Sequence, residues 1–546
     1  MPFDNESFSK GFATGYLLGR ELKKPLGLHF FSKKAEFSIS LTHPEYKYWE
    51  GKIEYSYNQI KWIEWNHTDT IFSKKKHLYM RGVGNEHISG YSSSSIIRDN
   101  SWIINGTDVF CEGNIEDILD YETVKNGEHP QMKTYCFCRL FRNCTCLKSS
   151  PRLPSLHCPT ACYKGMFAGC INLLSAPELP STSIGPDCYA EMFLDCTSLV
   201  SAPPELPAEK LYDNCYYSMF ANCINLVNIS TVLPAKVAAA ECYERMFLNT
   251  AIIEPPSILL EDLPLWYSKS CCEAMFYRCK NLKEAPELLA TNTSDRCYMQ
   301  MFSGCTSLVS APSELPAQNL SKNCYHGMFA GCSSLIETPK IKAINLAERC
   351  CESMFSNCSS LTLVDDLIAT SMAPYCYADM FSYCSSLKKA PNILATNSAS
   401  YCFQHMFFSC ENLEEPPEEL LPARLESFCC QEMFYGCRSL KKSLKILATT
   451  VSESCCEGMF GECRKLKVLP KLYSTNLAPY CYMDMFEVTV YTVPRGEYIY
   501  EYRVPITGYG IDGYYSIYQM LFPYDPDHGY RTLQLNTTYY ASQPPI

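Results

Sequence analysis

Pairs of cysteines recur along this chain at a regular spacing, and such pairs can hold a metal ion, form a disulfide or carry out redox chemistry. In the segment CYKGMFAGCINL, seven residues separate Cys162 from Cys170. Neighbouring thiols that bind zinc usually have about two to four residues between them, and this segment contains no paired histidine. The spacing therefore does not indicate a zinc site.

Substitutions among the copies of this segment favour a structural role for the thiols. Thr250 and Thr489 replace the second cysteine in two copies, and Cys272 and Cys351 are among those that replace the aromatic residue after the first. A small core residue tolerates such exchanges, whereas a metal ligand or a disulfide partner does not. We therefore predict that most of the 34 cysteines are free and buried, with disulfides between copies and metal binding as the alternatives.

The segment is one copy of a repeat that spans most of the chain. With the first cysteine as offset 0, offset 4 is Met in all copies but the first, and offset 5 is Phe in every copy. Offset 8 is mostly Cys and offset 11 mostly Leu. The fourteen copies start 26 to 29 residues apart, at Cys136, Cys162, Cys188, Cys215, Cys242, Cys271, Cys297, Cys324, Cys350, Cys376, Cys402, Cys429, Cys455 and Cys481.

Each copy is predicted to form one coil of a solenoid. Offsets 0 and 4 share one face of a helix, and the Gly or Asn that often stands at offset 7 suits a left-handed helix stop, so a helix of about ten residues should open each copy. A short strand should follow and end near offset 14, before the frequent proline at offset 15. Stacked copies can bury faces that a single copy cannot. The predicted fold class is therefore α+β, a right-handed solenoid with a parallel sheet on one side and short helices on the other.

Ladders of like residues should line the continuous core of this solenoid. In two representative copies the ladder residues are Cys162, Met166, Phe167, Cys170, Leu173, Cys297, Met301, Phe302, Cys305 and Leu308.

The motif CYxxMFxxCxxLxxxPxL resembles the BspA-like leucine-rich repeats, close to the form that is abundant in gut bacteria and in the phages that infect them. The resemblance covers about 350 residues, from Cys136 to Phe486. It implies adhesion and the binding of protein or glycan rather than catalysis. The N-terminus begins MPFDNESFSKGFATG and lacks the apolar stretch of a secretory signal, which departs from the cell-surface members of the family.

Two segments precede the repeats. Residues 1–25 are predicted to be a docking helix, because small residues spaced four apart let another backbone approach closely; a flexible arm is the alternative. Residues 26–125 alternate in the manner of β-strands and resemble the small β-sandwich that precedes such repeats in gut-phage and bacterial surface proteins. The residues expected to mediate docking are Phe8, Gly11, Phe12, Gly15 and Gly19.

Two tryptophans of the predicted β domain, Trp62 and Trp65, fall on opposite faces of one strand, so at most one belongs to its core. The exposed one could stack on a sugar ring, or it could be a packed or edge tryptophan. After this domain, the segment CEGNIEDILDY from Cys111 is predicted to cap the solenoid, whose repeat region we assign to residues 126–486.

The last segment, residues 487–546, is rich in tyrosine and is predicted to form a β cap on the final coil. Tyrosine is also a favoured residue of binding surfaces, so a binding tip remains open. Its candidate ligand-binding residues are Tyr498, Tyr500, Tyr502, Tyr514 and Tyr515.

The net charge and the sequence motifs argue against several classes of function. The net charge is −11, and no segment is basic enough to favour nucleic acid as a partner. No apolar run of about 18 residues is present, so we expect no membrane insertion. The chain has no phosphate loop, nucleophile elbow or HExxH motif. We therefore predict a protein that is not an enzyme and needs no metal or other cofactor.

The leading hypothesis is a structural or adhesion protein of a gut-bacterial phage, in a tail or head fibre or another appendage of the virion. Its N-terminus would dock on other virion proteins, and the variable offsets 2 and 3 of the solenoid would bind a host cell-surface glycan or protein. The alternatives are a BspA-like adhesin at the bacterial cell surface, a purely structural virion component and a glycan-cleaving enzyme on a repeat scaffold. Homo-oligomerisation is left open.

Overall fold

A computed structural model of the chain shows a β domain followed by a solenoid of stacked coils. The docking residues Phe8, Gly11, Phe12, Gly15 and Gly19 lie outside the described residues, as do the terminal tyrosines Tyr498, Tyr500, Tyr502, Tyr514 and Tyr515. Within the described part of the chain, no helix is both long enough and apolar enough to cross a bilayer. The structure describes residues 27–93, 96–468, 470, 472–474 and 477–486.

The β domain is built from short strands whose side chains alternate between core and surface, as in β1, where Leu28 and Phe30 are fully buried. Its strands are β1 (Leu28–Ser32), β2 (Ser38–Leu41), β3 (Lys52–Ser56), β4 (Ile63–Glu64), β5 (Ile71–Phe72), β6 (His77–Val83), β7 (Gly90–Ser93), β8 (Ile96–Asp99), β9 (Trp102–Asn105) and β10 (Val109–Glu112). One sheet has the order β10–β1–β6–β3–β4 and a second the order β5–β2–β9, all antiparallel, while β7 pairs with β8.

The first coil of the solenoid extends the larger sheet of this domain. Strand β11 (Leu147–Ser149) lies in the first repeat and pairs in parallel with β10, with Val109 opposite Leu147. Nearby, the ring of Trp102 packs edge-on against Phe141 of the first coil, with 6.0 Å between centroids. The domain and the repeats therefore share one hydrophobic core.

The helix α1 (Asp117–Lys125) lies between the β domain and the repeats and packs against β6. A Cβ atom on Gly82 of β6 would lie 1.7 Å from the carbonyl oxygen of Ile118, so only glycine permits this approach. The helix is interrupted at Asp120, where φ is −151° and ψ is 98°.

The segment predicted to be a helix in each copy is instead a run of tight turns. In the second copy the N–H groups of Met166 and Cys170 donate to the carbonyls of Tyr163 and Phe167, three residues back, while the N–H of Phe167 donates to Met192 in the next coil. An α-helix would direct each N–H to the carbonyl four residues back. The helix prediction is therefore wrong for these segments, because alternate N–H groups bond to a neighbouring coil. The α+β class and the right-handedness stay predictions.

A left-handed residue at every fourth position sets the path of these turns. Offsets −1, 3 and 7 have positive φ throughout the described coils; in the second copy φ is 59° at Gly165 and 74° at Gly169. The resulting period of four keeps offsets 0, 4 and 8 on one side without the drift of a 3.6-residue helix. Cys162, Met166 and Cys170 are accordingly all fully buried.

Short parallel ladders complete each coil. Residues at offset 13 bridge adjacent coils, as Ser175 does to Ser201 and Ser201 to Asn228, just before the position where proline is frequent. The remaining strands pair in parallel as β12–β13, β14–β15, β16–β17, β18–β20 and β19–β21. Their bounds are β12 (His157–Cys158), β13 (Ser183–Ile184), β14 (Val232–Leu233), β15 (Ser257–Ile258), β16 (Glu314–Leu315), β17 (Lys340–Ile341), β18 (Glu419–Leu420), β19 (Arg424–Leu425), β20 (Lys445–Ile446) and β21 (Thr450–Val451).

A ladder of phenylalanine rings runs through the core. The fourteen rings at offset 5, from Phe141 to Phe486, form one stack in which neighbouring centroids are 5.2 to 5.7 Å apart. The ladder residues named from the sequence are all fully buried: Cys162, Met166, Phe167, Cys170, Leu173, Cys297, Met301, Phe302, Cys305 and Leu308. Like residues stack on like residues from coil to coil.

The thiol at offset 8 also donates a hydrogen bond between coils. The Sγ of Cys170 lies 3.0 Å from the carbonyl oxygen of Phe141, and the Sγ of Cys305 lies 3.1 Å from that of Phe276. Thr250, which replaces this cysteine in one copy, donates its hydroxyl to the Phe247 carbonyl of its own coil. Offset 8 thus holds a small side chain that is also a donor.

We expect the thiols to be protected from alkylation in the native chain. None of the 34 forms a disulfide in the described structure; Cys146 is half-buried and the others are buried. Burial raises the pKa of Cys410 to about 12, so almost none of it is the reactive thiolate near pH 8. Iodoacetamide should label Cys146 at least about tenfold faster than Cys410, as measured by peptide mass spectrometry.

Denaturant without reductant should then expose every thiol to the reagent. Equal labelling rates at Cys146 and Cys410 in the native chain would contradict the burial of Cys410. Fewer than 34 labelled thiols after unfolding would show that some form disulfides.

Candidate functional site

A polar groove of about 410 Å³ crosses consecutive coils on the turn face, which we define as offsets −2 to 8 of each coil. Offsets 2 and 3 contribute half of its lining: Lys164, Glu191, Tyr217, Glu244, Arg245 and Glu273. Offsets −1 and −2 contribute the other half: Asp187, Asn214, Glu241, Lys269, Ser270 and Arg296. Because each coil repeats the same turns, equivalent offsets lie side by side and form one continuous surface.

Ion pairs between coils order the two ends of this groove. The Nζ of Lys164 lies 2.7 Å from Oδ1 of Asp187, and Nη2 of Arg296 donates to Oε1 of Glu273 at 2.7 Å. Each pair joins offset 2 of one coil to offset −1 of the next. Between them, Nη1 of Arg245 donates to the hydroxyl of Tyr217 at 3.3 Å.

Two acidic side chains, Glu244 and Glu273, lie nearly buried among the lining residues, at 7% and 4% exposure. Burial, followed by the charge of Glu273, raises the pKa of Glu244 to about 7. The Oε2 atom of Glu273 and the Nε atom of Arg296 have no hydrogen-bond partner. Both atoms are shielded from solvent.

An insertion borders the groove at one coil. The spacing from Cys242 to Cys271 is 29 residues, the longest in the array. The extra residues fall between Asp262, which bridges to Val237, and Lys269, which lines the groove. We call residues 263–268 the aromatic loop.

The tip of the aromatic loop exposes three large side chains to solvent. Leu265 is 61% exposed, Trp266 88% and Tyr267 74%. The backbone below the tip is ordered by a turn in which the N–H groups of Tyr267 and Ser268 both donate to the carbonyl of Pro264 at 3.0 Å. The loop thus presents an apolar surface at the edge of a polar groove.

Some residues of the groove were predicted from the sequence and others were not. Offsets 2 and 3, expected to form the binding surface, line the groove. Offsets −1 and −2 and the aromatic loop were missed, although the 29-residue spacing and Thr250 in the same copy mark that coil as irregular. Trp62, the tryptophan considered for sugar stacking, is half-buried under the Arg81 guanidinium at 4.1 Å, whereas Trp65 is in the core at 3% exposure.

The chemistry available in the groove is that of hydrogen bonding and charge. The lining contains five carboxylates and four cationic side chains, so it offers both acceptors and donors to a polar ligand. Among the residues that the structure describes, no cluster of three or more His, Cys, Asp or Glu side chains could hold a metal ion.

Three solved bacterial structures are similar to this chain. A leucine-rich repeat protein from Bacteroides ovatus ATCC 8483 is 14% identical with a TM-score of 0.33, and the match covers 81% of this chain and 99% of that one. A leucine-rich repeat protein from Eubacterium ventriosum ATCC 27560 is 12% identical with a TM-score of 0.36, covering 75% and 97%. A leucine rich cell surface protein from Faecalibacterium prausnitzii A2-165 is 13% identical with a TM-score of 0.25, covering 77% and 93%.

No protein-family model matches the chain, and no curated protein matches it. At the identities and TM-scores of the three structures, their similarity carries no argument about a ligand or a role. The solenoid architecture rests on the hydrogen bonds and ring stacks of this chain itself.

We expect Glu244→Gln to stabilise the chain above about pH 7 and to change its stability little below about pH 4.5. The pKa of Glu244 is raised from 4.5 to about 7 in the folded chain. The unfolded chain therefore releases this proton first, and the fold loses stability as the pH rises between those two values. Glutamine has no such proton. The difference in free energy of unfolding between the variant and wild type should therefore increase from about pH 4.5 to about pH 7.

Urea unfolding at intervals from about pH 4 to pH 8 measures this difference in the free energy of unfolding. Glu178→Gln, at an exposed position, is the matched control. Its difference in free energy of unfolding from wild type should not increase with pH. If the difference in free energy of unfolding between Glu244→Gln and wild type did not change with pH, the raised pKa of Glu244 would be contradicted.

Proposed function

We propose that this chain is an adhesin-like recognition protein that binds a surface polymer through the groove of its turn face. The observation that carries the proposal is the groove itself, in which consecutive coils contribute the same offsets to one polar surface. Core offsets repeat the same residue types, whereas the offsets that line the groove differ from coil to coil. A repeated surface of this kind suits weak contacts with a repetitive ligand, which gain strength when several form together.

Binding to intact cells tests this proposal. The full chain, labelled with a fluorophore, is incubated with cells of a panel of cultured gut-bacterial strains, and retained fluorescence is measured. We expect retention on some strains and a clear loss with Lys164→Glu, which reverses a charge in the groove. Lys322→Glu is the matched control, because Lys322 forms a similar ion pair with Glu348 but does not line the groove. No retention on any strain, or equal losses with both variants, would contradict the proposal.

For the place of action, we propose a fibre or appendage of a gut-bacterial phage, anchored by its N-terminus. The free thiols of the core support assembly in a reducing cytosol, and the glycine stripe of residues 11–19 supports docking on other virion proteins. A bacterial cell-surface adhesin and a purely structural virion part are the alternatives. Mass spectrometry of purified phage particles and of surface fractions of uninfected cells distinguishes these, and absence from particles would overturn the phage proposal.

Glycan cleavage is a second candidate function, favoured by one observation. Glu244, whose pKa burial raises to about 7, lies in a groove with a second carboxylate, Glu273, and glycoside hydrolysis uses a pair of carboxyl groups. Release of reducing ends from polysaccharide by the full chain, abolished in Glu244→Gln, would establish it. Binding without release would leave recognition as the function.

A further inference from the structure

We infer that the groove and the aromatic loop together form a binding site for a neutral oligosaccharide. This inference rests on the proposed recognition function and names the ligand class of the same groove. It follows from three features of the structure: an exposed tryptophan, its proximity to the groove and the charge balance of the lining.

Trp266 is exposed in a way that folding does not explain. Of the five tryptophans in the chain, Trp49, Trp65 and Trp102 are at most 4% exposed, whereas Trp266 is 88% exposed. It stands on an insertion that the other coils lack, so the repeat does not require it. An indole face is a flat apolar platform with a polar N–H at its edge, which matches the C–H face and hydroxyl rim of a pyranose ring.

The platform and the groove are close enough to contact one ligand. Lys269, which lines the groove, is the third residue after Trp266, so their Cα atoms are no more than about 11 Å apart. A chain of two or three sugar rings spans such a distance. One ring can stack on the tryptophan while the next lies among the polar side chains.

The lining selects a neutral, hydroxyl-rich ligand. All twelve lining residues are polar or carry a polar group, so the groove lacks the apolar pocket that anchors a protein hot spot. Its five carboxylates and four cations nearly balance, which disfavours both polyanions and polycations. A sugar hydroxyl can donate to one group and accept from another, so the carboxylates and cations of the lining can both serve as its partners.

Tryptophan fluorescence gives a direct test on the full chain. Because Trp266 is far more exposed than the buried tryptophans, acrylamide should quench it preferentially. Neutral oligosaccharides that the chain retains on a glycan array, titrated into the protein, should protect this emission from quenching. Trp266→Ala should weaken their binding about tenfold or more, whereas Tyr473→Ala, at another exposed aromatic residue with 48% exposure, should leave it unchanged.

The outcomes separate this inference from the function on which it rests. If the chain binds cells but retains only sialylated or sulfated glycans, only proteins, or no glycan at all, the ligand class is wrong. If neutral glycans bind equally well to Trp266→Ala, the site is wrong. If the chain binds no cells, the proposed function itself fails, whatever the array shows.

Discussion

Replacing Phe302 by alanine is expected to lower the local free energy of unfolding by about 3–5 kcal/mol. The ring is fully buried and stacks on Phe276 at 5.5 Å and on Phe329 at 5.4 Å. Alanine removes both stacks and leaves a cavity that coils on either side cannot fill, because their own backbones are hydrogen-bonded to one another. This is the largest effect we expect from a single truncation in the array.

Hydrogen exchange measured by mass spectrometry locates this effect, because each coil contacts only its neighbours. Amides in the coils of Phe276, Phe302 and Phe329 should lose protection, and those of the β domain should keep it. Phe302→Leu keeps most of the apolar volume and should cost clearly less, about 1–2 kcal/mol. Equal protection in Phe302→Ala and wild type would show that the stack does not hold the coils together.

Replacing Gly331 by valine is expected to cost about 2–3 kcal/mol, because offset 7 requires a left-handed backbone. The φ angle of Gly331 is 74°, a conformation that β-branched residues resist most. A Cβ atom there would lie 3.7 Å from the nearest atoms of Gly304, which is ordinary van der Waals contact. The expected cost therefore comes chiefly from the strained backbone rather than from a clash of the Cβ atom.

Gly331→Asn is the matched control for this prediction. Asn222, Asn249 and Asn357 occupy the same offset with φ of 61°, 55° and 62°, and asparagine tolerates this region better than other residues. Its cost should stay below about 1 kcal/mol in urea unfolding. If valine and asparagine were equally tolerated, the turn run would not be left-handed at offset 7, and the helix predicted from the sequence would regain support.

The repeat and its core could be read from the sequence residue by residue. Burial at offsets 0, 4, 5, 8 and 11 follows from composition and spacing alone, because only stacked copies can bury so many like residues at a fixed interval. The ladder from Phe141 to Phe486 is the direct result. The bridges at offset 13 lie just before the frequent proline, but pairing resumes beyond it, as in Val232–Leu233, which the sequence did not predict.

The backbone conformation of the turn face could not be predicted from the sequence. Offsets 0 and 4 share a face in both a helix and a four-residue turn run, so the sequence pattern fits either. The choice is made by N–H groups such as that of Phe167, which bond to Met192 of the next coil. A bond between coils exists only once the coils are stacked.

The candidate site was likewise predicted only in part from the sequence. The variable offsets 2 and 3 marked an outward surface in the sequence, and the 29-residue spacing marked an irregular coil. Only the tertiary structure shows that Glu273 meets Arg296 from the next coil and that Lys269, the third residue after Trp266, lines the same groove. By itself the sequence determined what is buried, since burial depends on residue type and period. Which surface residues meet was decided by the stacking of coils, which brings together side chains more than twenty positions apart.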